Sequence, residues 1–455
     1  MMQAMNTQIQ PIAYRCPLTV LSLFEQEKGT IFLGSGLEHP DFGRYSYIAV
    51  DPLEFYTLKD NRTEDIAAKL KSILKTHAQP LIPDLPPFQG GLAGAFAYEF
   101  YRYIEDVNIH TFDDINVPDM AIGLYDVVIS FDHQERKAWI VSTSGRDRLD
   151  YFVHRMESIA TEASCRAPGS SPGVNSKSFA LSSNFTQPEY EAAVQTVIDY
   201  ILAGDIFEAN LSQRFEAPLP PNFSPFDCFT HLYNTNPAPF AAYLNLGDTQ
   251  ILSISPERFI RLSQNHVETR PIKGTCRRGA TLEEDKALAE ALKKSEKDIA
   301  ENIMIVDLLR NDLSKVCKDH SVEVTQLCGV ETYANVHHLV SVIKGKLKQE
   351  HDAIDLLWAT FPGGSITGAP KIRAMQIIAE MEKINRGIYC GSIGYIGCNG
   401  EMDTSIAIRT ATVKDSRIYF QAGGAIVADS DPRSEYEETI TKSSGFRKLF
   451  ETQKA

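Results

Sequence analysis

Two pairs of acids in this chain are spaced to act together. Asp298 and Glu301 stand three residues apart in a stretch with helical periodicity, and Glu435 and Glu438 repeat the interval in another. Spacing of three places each pair on one helix face. If the two faces meet, three or four carboxylates converge, and an all-oxygen cluster of that kind suits Mg²⁺, with waters and substrate oxygens completing its shell. If they do not meet, the acids are solvated helix faces. Basic groups accompany them. Lys442 follows Glu438 by one helical turn, and Arg409 shares strand parity with Ser405, Ala407 and Ala411, a face of small residues that leaves room for a ligand. A guanidinium there could grip a carboxylate through two hydrogen bonds. Two glycine-rich turns, FPGGSITGAPK (Phe361 to Lys371) and AGGA (Ala422 to Ala425), could cradle an anion through backbone N–H groups, although tight turns need glycine as well.

Helices and strands must hold these groups in place. Thr186-x-x-Glu189 has the form of a capping box, and Tyr190, Val194, Val197, Ile198 and Ile201 then recur at helical spacing, which predicts a helix ending near Gly204. Thr281-x-x-Glu284 opens a second helical stretch, continuous or broken, that reaches Arg310 and carries Asp298 and Glu301. Near the C-terminus, Asn399-Gly400 and Asp415-Ser416 divide three apolar runs, so the sequence predicts two tight hairpins in one antiparallel meander. A terminal helix then starts with Ser430 or Asp431 as N-cap and Pro432 at its first position. Strands come in groups with helices between them, so the expected fold is α+β. The Ser-, Gly- and Pro-rich run 163–184 reads as a linker between an N-terminal lobe (1–162) and a catalytic region (185–455). In the N-terminal lobe, Gly90, Gly91 and Gly94 mark close backbone packing in a sheet.

Composition narrows the function. The formal charge of −14 disfavours a nucleic-acid surface, which needs clustered Lys and Arg. No run of about 18 apolar residues is present to span a bilayer. The eight cysteines are scattered without a CxxC pair, so neither a zinc site nor a disulfide framework is indicated and a reducing cytoplasm is expected.

Longer strings then carry a resemblance. SPERF (Ser255 to Phe259), RPIKGT (Arg270 to Thr275), AENIMIVDLLRNDL (Ala300 to Leu313), VHHLVS (Val336 to Ser341), YCGSIGY (Tyr389 to Tyr395), MDTSIAIRT (Met402 to Thr410) and QAGGAIVADSDP (Gln421 to Pro432), together with the FPGGSITGAPK turn, resemble the chorismate-utilising enzymes. This family includes anthranilate, isochorismate, salicylate and aminodeoxychorismate synthases. The resemblance implies two packed, mainly antiparallel sheets surrounded by helices. It implies Glu301 and Glu438 as Mg²⁺ ligands, with Asp298 and Glu435 in support. It also implies Arg409, Tyr389, Lys442 and the backbone of Gly274, Thr275, Gly423, Gly424 and Ala425 around the substrate, with His338 near the departing C4 oxygen.

Lys273 separates the branches. PIKGT resembles the branch that aminates chorismate at C4, where the lysine is thought to attack C2 as the C4 hydroxyl leaves, before ammonia enters at C4. The anthranilate branch has alanine in this slot. Such a lysine must be neutral to attack, so its pKa is expected to be depressed. Glu257 is the expected general acid and, later, base. Glu208 departs from the pattern: water-using relatives carry lysine there and relatives of the C4-aminating branch usually carry glutamine. No amidotransferase-type cysteine with partner histidine and glutamate is found, so a separate glutamine amidotransferase subunit is expected to supply ammonia. The rival readings are an anthranilate-forming enzyme and a non-catalytic, chorismate-binding scaffold.

Overall fold

A computed structural model describes residues 7–37, 42–60, 63–107, 109–157, 181–333 and 336–450. Among the described residues, two large sheets are built from antiparallel strand pairs, one with 12 strands and one with 10, and helices pack against both. This is the α+β arrangement expected. Between the sheets lies a layer of alternate inward residues, among them Ile31, Tyr47, Phe88, Ala93, Ile251, Ile393 and Tyr395. Within the second sheet, glycines let neighbouring strands close up. A Cβ at Gly91 would fall 2.6 Å from the Ile396 carbonyl oxygen, and one at Gly94 would fall 2.1 Å from that of Ala121.

Strands from both sides of the proposed linker share both sheets: the first includes Gln8–Ile12 and Arg417–Ile426, the second Gly91–Phe96 and Ser392–Gly397. Most of the run 163–184 lies outside the described residues, and its end, Ser182–Ser183, pairs as a short strand with Phe215 and Glu216. Among the described residues, no helix is long and apolar enough to cross a membrane. Six cysteines among the described residues are free thiols, whereas Cys16 is disulfide-bonded, contrary to the expectation from the cysteine spacing.

Thr186 and Glu189 form the reciprocal capping box expected of them, and the helix Gln187–Leu202 ends two residues before Gly204. The second helical stretch breaks in two. Ser295 accepts a hydrogen bond from the Asp298 N–H and so starts a new helix, Glu296–Ser314, after Leu282–Lys293. Asp431 is the N-cap of the last helix, Pro432–Arg447, with its side chain accepting from the Ser434 N–H.

The expected three-strand meander does not exist. Met402–Ile406 belongs to the second sheet, paired with Ser392–Gly397, whereas Thr410–Lys414 belongs to the first, paired with Arg417–Ile426 through a turn with positive φ at Asp415 and Ser416. The chain crosses between sheets at 407–409. Arg409 adopts φ +52, which ends the alternation on which its strand parity rested. A second crossing runs alongside. Thr249–Ser255 lies in the first sheet and Arg258–Ser263 in the second, joined through Pro256 and Glu257. The crossings are tied together: the Ile406 N–H donates to the Glu257 carbonyl (3.1 Å), the Ile254 N–H donates to the Arg409 carbonyl (3.0 Å), and the Ser255 hydroxyl donates to the Ile406 carbonyl (2.6 Å). Glu257 and Arg409 therefore sit at the seam where the two sheets part.

Candidate active site

Lys273 lies on Ile272–Arg277, an edge strand of the second sheet. The ladder shifts register between Lys273 and Thr275, and Gly274 takes φ +77 at that bulge. The bulge presents Lys273 toward the other sheet, where its Nζ donates to Glu208 Oε1 at 2.6 Å. Both side chains are buried, at 8% and 0% exposure. Glu208 Oε2 is also buried and finds no hydrogen-bond partner among the described residues. Burial alone would push the Lys273 amine down, but the charges of Glu208, Glu301 and Glu257 outweigh it and hold the pKa above the ordinary lysine value. The expected depression is therefore reversed, because the acids around Lys273 favour its charged form.

Glu257 has the opposite environment. It is 5% exposed, and burial pushes its carboxyl up to about 7 against the pull of Ser365, Lys273, the Ile272 N–H and Lys442. Ser365 donates to Glu257 Oε1 at 2.7 Å. Ser365 belongs to the FPGGSITGAPK segment, which forms a short 3₁₀ turn (Gly364–Ile366), a two-residue strand (Gly368–Ala369) and then the helix Lys371–Glu382. A carboxyl with a pKa near 7 can both give and take a proton at neutral pH.

The two acidic helices face the same region. Asp298 packs on the Gly274 bulge, where a Cβ would lie 2.9 Å from its Cγ. Glu301 is buried and raised to about 7, chiefly by burial, while Lys273 pulls it down and Glu208 pushes it up. On the C-terminal helix, Glu435 is buried and accepts from Ser430 (2.7 Å) and from Lys297 (3.4 Å) through Oε1. Its Oε2 is buried without a hydrogen-bond partner among the described residues. Glu438 is 44% exposed and pairs with Lys442 at 2.5 Å. Gly424 makes room for both acids: a Cβ there would lie 3.1 Å from Glu435 Oε2 and 3.3 Å from Glu438 Oε1.

Among the described residues, no group of three His, Cys, Asp or Glu is close enough to hold a metal ion by itself. Mg²⁺ does not require one, since it is commonly held by one or two carboxylates with waters and substrate oxygens. The unpartnered Glu435 oxygen beside Glu438 is a hard donor set of that kind, and so the residues fit the ion.

Groups suited to anions line the other side. Arg409, exposed at the seam, donates to the Lys442 carbonyl oxygen, and the Lys442 amine donates to the Gly423 carbonyl at 3.0 Å. Tyr389 is buried. The Thr275 hydroxyl and His338 Nδ1 are 2.7 Å apart. Burial, then the charge of Arg409, push the His338 imidazole down to about 4, so it is neutral at pH 7. Gly423, Gly424 and Ala425 are not in a turn, as the sequence suggested, but inside the strand Arg417–Ile426. They pair with Ser212, Leu211 and Asn210 on one side, while pairing on the other side stops at Phe420. Backbone groups of this stretch therefore border an open edge.

Three participants were not anticipated: Lys297, Ser365 and Ser430. Lys297 carries a readable signal, because it precedes Glu301 by one helical turn and so brings a cation to the acid face. Ser365 and Ser430 act across long sequence separations or through a local turn, and spacing alone does not point to them.

The model of the family described as chorismate binding enzyme matches residues 35–448. Aminodeoxychorismate synthase component 1 of Salmonella typhimurium is 42% identical over 419 residues, covering 89% of each chain. Anthranilate synthase component 1 of Aquifex aeolicus is 39% identical over 457 residues, covering 96% of this chain and 92% of its own. Among solved structures, anthranilate synthase component I from Streptococcus pneumoniae superposes with a TM-score of 0.78 at 33% identity, over 90% of this chain and 93% of that one. The menaquinone-specific isochorismate synthase of Escherichia coli shares the fold at a TM-score of 0.74 and 17% identity, over 98% of this chain and 94% of that one.

Proposed function

This chain belongs to the chorismate binding enzymes, and from that premise we propose that it converts chorismate and ammonia to 4-amino-4-deoxychorismate. The observation that carries the reading is Lys273, a buried amine set among Glu208, Glu257 and Glu301 at the junction of the two sheets. An alanine at this position would leave no nucleophile facing the ring.

In the proposed cycle, Arg409, Lys442 and the open strand edge at Gly423 to Ala425 orient the carboxylates of chorismate. Tyr389, Gly274 and Thr275 border the ring. The neutral Lys273 amine adds at C2, both ring double bonds shift, and the C4 hydroxyl leaves as water with the proton of Glu257. Ammonia then adds at C4, the Lys273–C2 bond breaks with its electrons returning to Nζ, and Glu257 takes a proton from the incoming nitrogen. His338, neutral and hydrogen-bonded to Thr275, would serve as a hydrogen-bond partner for the departing oxygen. Glu301 and Glu438, supported by Asp298 and Glu435, would hold Mg²⁺. The bound ion would neutralise a substrate carboxylate within an acidic pocket.

Ammonia would come from a separate glutamine amidotransferase subunit, consistent with relatives named as component 1. The setting is the cytoplasm, and the product would feed 4-aminobenzoate and folate synthesis. Incubating the chain with chorismate, Mg²⁺ and ammonium at about pH 8.5, where free ammonia is available, should give aminodeoxychorismate by chromatography and mass, and no turnover without Mg²⁺. Anthranilate as the main product would instead assign the chain to the reaction of its anthranilate-forming relatives.

A further inference from the structure

Lys273 is held as a cation in a pocket that nearly excludes water, yet an amine must lose its proton before it can act as a nucleophile. Carboxylates approach it from four elements: Glu208 on the strand Glu208–Pro218, Glu257 at the sheet seam, Glu301 on the helix Glu296–Ser314, and Glu438 on the C-terminal helix. They are not equivalent. Glu257 is bonded to Ser365 and must keep its own proton for the leaving hydroxyl. Glu301 and Glu438 lie among the groups placed to hold the cation. Only Glu208 is hydrogen-bonded to the Lys273 amine among the described residues, at 2.6 Å, and its second oxygen has no partner there.

We infer that Glu208 is a catalytic proton acceptor that takes the proton of Lys273 before attack and returns it when the lysine departs. The inference rests on the proposed C4-amination reaction. The steps balance. The pair Lys273-NH₃⁺ and Glu208-COO⁻ becomes Lys273-NH₂ and Glu208-COOH by transfer along the existing hydrogen bond. The amine then bonds to C2 as the C4–O bond breaks, with Glu257 protonating the leaving oxygen. When ammonia has added at C4 and the C2–N bond has broken, Lys273 regains its proton from Glu208 and Glu257 has recovered one from the new amino group. Burial favours this exchange, because it replaces two buried charges by two neutral hydrogen-bonding groups without moving a heavy atom.

The test compares the wild type with Glu208→Gln and Glu208→Asp, each saturated with chorismate and Mg²⁺, across pH 6.5 to 9.5 at fixed free-ammonia concentration. Product identity in the wild type is established first. Glu208→Gln keeps the size and a hydrogen bond but accepts no proton, so kcat should fall about 10²-fold at pH 7. The deficit should shrink by about tenfold per pH unit as Lys273 loses its proton to solvent instead. Glu208→Asp should recover part of the rate at pH 7, and chorismate affinity by fluorescence titration should change little. Wild-type aminodeoxychorismate formation with an unchanged Glu208→Gln profile overturns the role of Glu208 and leaves the reaction standing. A deficit that does not vary with pH, or lost chorismate binding, identifies a structural residue and overturns the proposal as well. Anthranilate from the wild type sinks both the reaction and the role.

Discussion

Replacing Glu257 by glutamine should inactivate the enzyme and stabilise it, and the stabilisation should depend on pH. Burial raises this carboxyl from 4.5 to about 7. The folded chain therefore keeps its proton between about pH 4.5 and 7, where the unfolded chain has released it, and each pH unit in that window costs the native state about 1.4 kcal/mol. The penalty is absent at low pH, where both states are protonated, and reaches roughly 3 kcal/mol above pH 7. Glutamine has the same shape, can still accept the Ser365 hydrogen bond and carries no such penalty. A chain of 455 residues shifts its midpoint by about 1 °C per kcal/mol. Scanning calorimetry without metal should therefore show Glu257→Gln melting about 3 °C above the wild type at pH 8 and only about 1 °C above it at pH 5. Turnover should fall by about 10²- to 10⁴-fold. A variant less stable at pH 8, or a gain that is equal at both pH values, would refute the view that Glu257 is a buried acid held near neutrality.

Lys273→Met should remove turnover and leave Glu208 buried without its partner, a loss of about 3–5 kcal/mol by analogy with other broken buried pairs. Calorimetry should show most of that loss restored in the Lys273→Met/Glu208→Gln double variant. Gly274→Ala should be strained by its φ of +77 and by a Cβ 2.9 Å from Asp298 Cγ. It is expected to lose about 1–3 kcal/mol and to raise the Mg²⁺ concentration needed for half-maximal rate, whereas Gly400→Ala, whose Cβ would meet nothing within 4 Å, should leave the Mg²⁺ requirement unchanged.

Local chemistry was readable where a few residues decide the structure. The capping residues Thr186 and Asp431, the turn at Asp415-Ser416 and the close packing at Gly91 and Gly94 all follow from backbone sterics and single hydrogen bonds, and each has the expected form. The break at Ser295 is also local, but a serine inside a helical pattern can cap or continue, and only packing decides. Long-range pairing is different. MDTSIAIRTATV alternates as one strand would, and nothing in that alternation says that residues 402–406 and 410–414 join different sheets. The left-handed turn at Arg409 sits where hydrogen bonds tie its crossing to the one at Pro256 and Glu257, a contact across about 150 residues. The same limit applies to Lys273. Its position could be marked in the sequence, but its charge state depends on Glu208, which lies 65 residues away. Gly423 and Gly424 read as a turn because glycines signal flexibility, whereas in the sheet the missing side chain of Gly424 admits Glu435 and Glu438.

The proposed cycle turns on Lys273 becoming covalently bonded to the substrate. Rapid acid quench of the protein with chorismate and Mg²⁺ in the absence of ammonia, followed by peptide mass analysis, tests it directly. The peptide containing Lys273 should gain the mass of chorismate less one water, and later addition of ammonia should remove the label. Aminodeoxychorismate formation by a Lys273→Ala variant at near wild-type rate, with no labelled lysine in the wild type, would contradict it.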